Sequence, residues 1–150
     1  PNLDRSTASA DSYNCYGNAL GKQIDRNPTA YKRGATAEEV YAMVVFDVGE
    51  QNIRRLDSYT KVNADENFVA LRVGPSSGFR RNADYHFIVE VDGVVYNKPG
   101  ALDLRTESFT IFWDDEWYLY EGGLRNPKND NVYYDSEIIY FALKKEWYSN

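Results

Sequence analysis

One cysteine, Cys15, and one histidine, His86, occur among the 150 residues. A thiol attacks a carbonyl carbon once a base removes its proton, and imidazole titrates near the pH where that exchange is easiest. A single cysteine allows no intrachain disulfide. One cysteine with one histidine also falls short of the ligand sets that hold zinc or iron–sulfur centres. The pair therefore points to thiol chemistry with no metal or other cofactor. Taken singly, each residue is equally at home as structure: a small buried hydrophobe and a ring with satisfied nitrogens.

The neighbours sharpen the chemical reading. Asn14 is a good helix N-cap, and Cys15, Asn18, Ala19 and Gln23 follow it at helical spacing. Sulfur in a first turn lies beside free backbone N–H groups, which favour a thiolate and can receive an oxyanion. A thiol ionising well below the free-cysteine value of about 8.5 is expected there. Gly17 and Gly21 would let this helix approach a sheet closely. Tyr13 and Tyr16, on either side of the cap and cysteine, are candidates to help bind substrate or oxyanion.

His86 belongs to DYHFIVEVDGVVYNKPG, two apolar runs around Asp92-Gly93, a pair favoured in a two-residue type I′ turn. That turn sets Val91 opposite Val94 and Ile88 opposite Asn97. His86, Ile88 and Glu90 then share a face with Asn97, which is diagonal to His86. The diagonal spans about 7–8 Å at Cβ. The Asn97 amide oxygen is expected to take the Nδ1 proton and turn Nε2 toward sulfur. Asp84 lies on the same face, as a charge in the cleft or as a hydrated strand start.

Several elements must position these groups. Residues 1–12, PNLDRSTASADS, are small, polar and aperiodic, and read as a flexible arm or linker remnant before a single domain over 13–150. Thr36 with Glu39 forms a capping box for a helix over 37–48, with Gly49 as its stop. Strands are expected at IRRL from Ile53, at NFVALRV (67–73), in the His86 hairpin, at SFTIFW (108–113), at EWYLY (116–120) and within SEIIYFALKKEWY (136–148). GPSSG (74–78) and GGLRNPKNDN (122–131) read as loops. Two helices followed by an antiparallel sheet make an α+β domain.

Charge removes other classes. Lys and Arg number 17 against 23 Asp and Glu, a net charge of −6. Such a chain gains nothing electrostatically from a phosphate backbone or an anionic membrane. No apolar run approaches the roughly 18 residues of a membrane span. Neither nucleic-acid binding nor membrane insertion is expected, and a monomer is. The 13 tyrosines, 7 phenylalanines and 3 tryptophans leave open a second class, a non-catalytic module binding peptide or glycan on an aromatic surface.

Y-N-C-Y-G-N-A-L-G (13–21) resembles the aromatic–Asp/Asn–Cys helix start of the NlpC/P60 and CHAP-type cysteine hydrolases of papain-like fold. D-Y-H-F (84–87) with V-Y-N-K-P-G (95–100) resembles the His hairpin of bacterial relatives that often read D-Y-H-F/W … H-K-P-G. The resemblance implies N-terminal helices packed on an antiparallel sheet and the catalytic order Cys15, His86, Asn97. It implies a secreted or cell-envelope amidase or peptidase. The substrate would be a peptide, a peptidoglycan stem peptide or a protein. A toxin-like glutamine or asparagine deamidase shares the same chemistry.

Overall fold

The computed structural model describes residues 1–75, 83–114, 117–118, 120–121, 124–125 and 133–147. Most of the expected GPSSG and GGLRNPKNDN loops therefore lies outside the described residues, as do Asp115 and Glu116. Helix α1 spans Cys15–Leu20 and helix α2 Ala37–Val48. Ten strands follow: β1 Ile53–Leu56, β2 Glu66–Gly74, β3 Asp84–Val91, β4 Val94–Asn97, β5 Arg105–Glu107, β6 Trp117–Tyr118, β7 Tyr120–Glu121, β8 Leu124–Arg125, β9 Tyr133–Tyr134 and β10 Ile139–Lys144. The architecture is α+β, with the helices ahead of the sheet in the chain.

Helix α2 has the expected boundaries, because its cap is written locally. The Thr36 hydroxyl oxygen accepts from the Glu39 N–H, and the Glu39 carboxylate accepts from the Thr36 N–H. Val40, Val44 and Val48 form its buried stripe. Helix α1 is shorter than expected. Gly21 adopts the left-handed conformation at φ 69° and ends it after Leu20, which leaves Gln23 outside.

Gly17 serves a different purpose from the one expected. A methyl group there would meet the Ile24 carbonyl oxygen at 2.4 Å and the Lys22 carbonyl oxygen at 2.8 Å, so the close approach is to the returning chain and not to the sheet. Alanine in a helix normally gains up to about 1 kcal/mol over glycine. The overlap with backbone outweighs that gain, and Gly17→Ala is expected to cost about 2 kcal/mol net. A urea midpoint equal to or above that of wild type would contradict this packing.

The main sheet is antiparallel, in the order β1-β10-β2-β3-β4-β5. The last long strand therefore lies inside the sheet, between β1 and β2. Odd-numbered residues of the central strands, Val69, Leu71, Phe87, Val89, Phe141 and Leu143, face α1 and α2 and build one core. Phe68, Ala70 and Ile88 face the other way and build a second core with Phe112, Trp117 and Tyr134. Burial on both faces explains why β2 and β3 read as nearly continuous apolar runs.

SFTIFW is not a strand. Ser108 caps a 3-10 helix over Phe109–Trp113, and Phe112 is driven into the second core, 4.8 Å from the Phe68 ring. Packing at a three-residue period overrides the strand preference of these aromatics. Of the expected strand EWYLY (116–120), Trp117 and Tyr118 form β6 and Tyr120 begins β7. Trp117 pairs with Tyr134.

Residues 1–12 run along α1. Leu3 N–H donates to the Gly21 carbonyl, Gln23 N–H donates to the Pro1 carbonyl, and Asn2 bridges Lys22. Arg5 Nε donates to Asn18 Oδ1 at 2.8 Å, while Asn18 Nδ2 donates to the Tyr96 carbonyl at 3.2 Å. Asn18, with no exposed surface, thereby ties this segment and α1 to β4.

Candidate active site

The Asp92-Gly93 turn produces the expected register, with Val91 opposite Val94 and Ile88 opposite Asn97. Strand β4 ends at Asn97, so the earlier residues of β3 have no β4 partner. Hydrogen-bonded and non-bonded pairs alternate along an antiparallel ladder. Counting from the turn, the Phe87 N–H points toward the place that β4 vacates. The start of α1 packs against β3 there, and the Phe87 N–H favours the Cys15 thiolate. The Tyr16 N–H favours the thiolate more weakly. Asn14 caps the turn by accepting from the Gly17 N–H at 3.0 Å.

Cys15 is 7% exposed and shares a cleft of about 250 Å³ with His86. Asn14, Asp25, Asn27, Asp84, Tyr85, Gly100, Ala101 and Tyr134 complete its walls. A larger cavity of about 480 Å³, lined by Tyr59 and Glu90 among others, contains neither of the two rare residues. Among the described residues no three His, Cys, Asp or Glu side chains converge as a metal site.

The structure brings His86 and Asn97 together as the register requires, but through the other ring nitrogen. His86 Nε2 lies 2.7 Å from Asn97 Oδ1. Reach explains the reversal. Asn97 is diagonal across the strands, and Nε2 is the nitrogen farther from the His86 backbone. An amide oxygen only accepts, so Nε2 carries the proton and Nδ1 of the neutral ring holds a lone pair. Among the described residues no hydrogen bond closes between the sulfur and the ring.

Tyr134 stacks on the imidazole at 5.1 Å and 25°, and Trp117 meets its edge at 6.1 Å. Arg72, directly across from His86 on β2, holds both covers in place. Its Nε donates to the Ser136 carbonyl at 2.9 Å and its Nη1 to the Asp114 carbonyl at 2.6 Å. The sequence carried a faint signal for this role, a lone charge within the apolar run NFVALRV.

Electrostatics overturn the expectation of a readily ionised thiol. Burial, followed by the Asp84 carboxylate, pushes the Cys15 thiol up to about 12, against the Phe87 N–H, Lys98 and the Tyr16 N–H. Helix α1 has six residues, too few for a dipole that would offset such desolvation. Burial also lowers the affinity of His86 for its second proton, opposed by the Asn97 bond and Asp84. The resting pair is a neutral thiol beside a neutral imidazole.

Neither Tyr13 nor Tyr16 is among the residues lining the cleft. The Tyr16 hydroxyl donates to Asp47 Oδ2 at 2.6 Å on the α2 side, and its ring packs 5.4 Å from Phe87. The hydroxyl is thus committed to Asp47 and away from the cleft lining. Tyr16→Phe is accordingly expected to cost about 1 kcal/mol of stability and to leave the Cys15 alkylation rate unchanged. A stable variant with reduced turnover would restore the hydroxyl's role. Tyr13 is buried, its ring 4.7 Å from the Lys98 ammonium.

Comparison with family models, curated proteins and solved structures finds no match to this chain. Functional inference therefore rests on the spatial cluster of Cys15, His86 and Asn97. That cluster is consistent with a cysteine-hydrolase-like triad.

Proposed function

We propose that this protein is a thiol hydrolase of amide bonds, with Cys15 as nucleophile, His86 as base and acid, and Asn97 holding the ring. The observation that carries this reading is the 2.7 Å bond from His86 Nε2 to Asn97 Oδ1 within the cleft that Cys15 also lines. It leaves Nδ1 to accept the thiol proton as sulfur bonds to the carbonyl carbon. Local N–H groups around Cys15 and Tyr16 supply donors for the oxyanion. The same proton passes from Nδ1 to the departing nitrogen as the C–N bond breaks. Water then attacks the thioester, giving its proton to Nδ1, and the sulfur leaves and regains a proton. None of these steps calls for a cofactor.

The finer assignment, an NlpC/P60- or CHAP-like amidase or peptidase, draws on Y-N-C-Y-G and on D-Y-H-F with N-K-P-G. Peptides, peptidoglycan stem peptides and proteins are its candidate substrates. Deamidation of a side-chain amide uses the same bond-making steps and differs only in the group that leaves. The test incubates wild type and Cys15→Ala with a proteome digest and with peptidoglycan fragments, followed by mass spectrometry. Cys15-dependent backbone cleavage is expected; amide-to-acid conversion without cleavage would assign the deamidase instead. Identical spectra from both proteins would exclude an amide hydrolase on these substrates.

A further inference from the structure

Lys98 has no exposed surface. It follows Asn97 and alternates to the opposite face of the hairpin, toward α1. It lies just past the end of β4, on the stretch that leads to Gly100. Its Nζ donates to the Gly100 carbonyl at 2.5 Å and lies 4.7 Å from the Tyr13 ring centre, and Gly100 itself lines the cleft. Among the described residues Lys98 makes no ion pair within 4.0 Å. A buried ammonium without an adjacent carboxylate is costly, and this one is bonded to the wall of the cleft that Cys15 lines, where an anion exists only part of the time.

We propose that Lys98 is the built-in counter-charge of Cys15, a positioning residue that stabilises the sulfur anion formed on deprotonation. The charge relation can be tested on the thiol alone; its use in catalysis rests on the thiol-hydrolase reading. The groups around the sulfur are consistent with this role. Asp84 on β3 opposes the anion, Lys98 favours it, and His86, Tyr31, Tyr85 and Tyr134 are the other titratable neighbours. Around Lys98 stand Cys15, Asp25, Asp103 and Asp11, with the Tyr13 ring against the ammonium. Burial lowers the lysine's hold on its proton, and the acidic groups around it restore part of it.

The test follows iodoacetamide alkylation of Cys15 between about pH 7 and 9 in wild type, Lys98→Met and Lys98→Arg, with folding checked by circular dichroism. Lys98→Met is expected to displace the rate–pH line downward about tenfold, and Lys98→Arg to recover most of that loss. A Lys98→Met line coinciding with wild type overturns the proposal. A second measurement holds even if Lys98→Met fails to fold. Nitrogen NMR of Lys98 Nζ compares Cys15→Asp with the isosteric Cys15→Asn. A fixed anion at residue 15 should raise the lysine midpoint by about one unit, and equal midpoints overturn the proposal. His86→Ala, followed in parallel, separates the two claims. An effect of Lys98 with none of His86 leaves the counter-charge standing and removes the base.

Discussion

His86→Ala is expected to lower amide hydrolysis by about 10³-fold, with folding retained, because it deletes the imidazole assigned to take the thiol proton. With the thiol raised to about 12, the spontaneous anion is scarce near neutral pH, so the base matters more than in a preformed thiolate–imidazolium pair. Asn97→Ala should cost less, about tenfold to a hundredfold, since it removes orientation and leaves the proton acceptor. Asn97→His should retain much of the activity, because its ring can also engage Nε2. Nitrogen NMR of His86 supplies a readout that needs no substrate: an Nε2-protonated ring in wild type, and mixed tautomers in Asn97→Ala. Wild-type turnover in Asn97→Ala, with loss in Asp84→Ala, would transfer the third role to Asp84.

The second large effect concerns pH. Cys15 alkylation is expected to rise through pH 9 without reaching a plateau, since the folded thiol titrates near 12 and the unfolded one near 9. A plateau below about pH 7 would mean an ion pair forms in spite of the burial, and would reverse the electrostatic account. Stability follows from the same two shifts. The fold holds the neutral thiol, so above about pH 9 the unfolded state ionises first. Stability then falls by up to about 1.4 kcal/mol per unit from this group, until the folded value is reached. The fold also holds neutral His86. As pH drops below about 6.5, the unfolded chain gains a proton more readily and stability falls until the folded midpoint is passed. Together they place a stability plateau between about pH 6.5 and 9. Tyr16 and Tyr85, both raised by burial first, steepen the alkaline side. Melting temperatures across pH 5–10 measure this, and Cys15→Ala should flatten the alkaline limb while His86→Gln flattens the acid one.

Local chemistry carried much of the architecture. Thr36, Glu39 and Gly49 set the limits of α2, and Asp92-Gly93 set a register accurate enough to bring Asn97 to His86 from sequence alone. Each depends on residues within a few positions of one another, where backbone geometry leaves few choices. The face shared by His86, Ile88 and Asn97 follows from the period of two and needed no tertiary information.

Long-range packing decided the rest. Where β4 stops, which nitrogen Asn97 meets, and that α1 enters the vacated edge of β3 depend on chain segments far apart in sequence. So does the ionisation of Cys15. A first-turn cysteine looks activated locally, yet desolvation by α1, β3 and their neighbours, together with Asp84, outweighs the nearby N–H groups. The aromatics 109–113 prefer strand by propensity, but the second core claims Phe112 and winds them into a 3-10 helix. Lys98 looks like an ordinary turn cation in N-K-P-G, and only the packed structure buries it, with its ammonium on the Gly100 carbonyl at the cleft wall. Sequence determined which residues could react and which strands would pair. The fold determined their burial, and burial sets the charge each group carries before reaction.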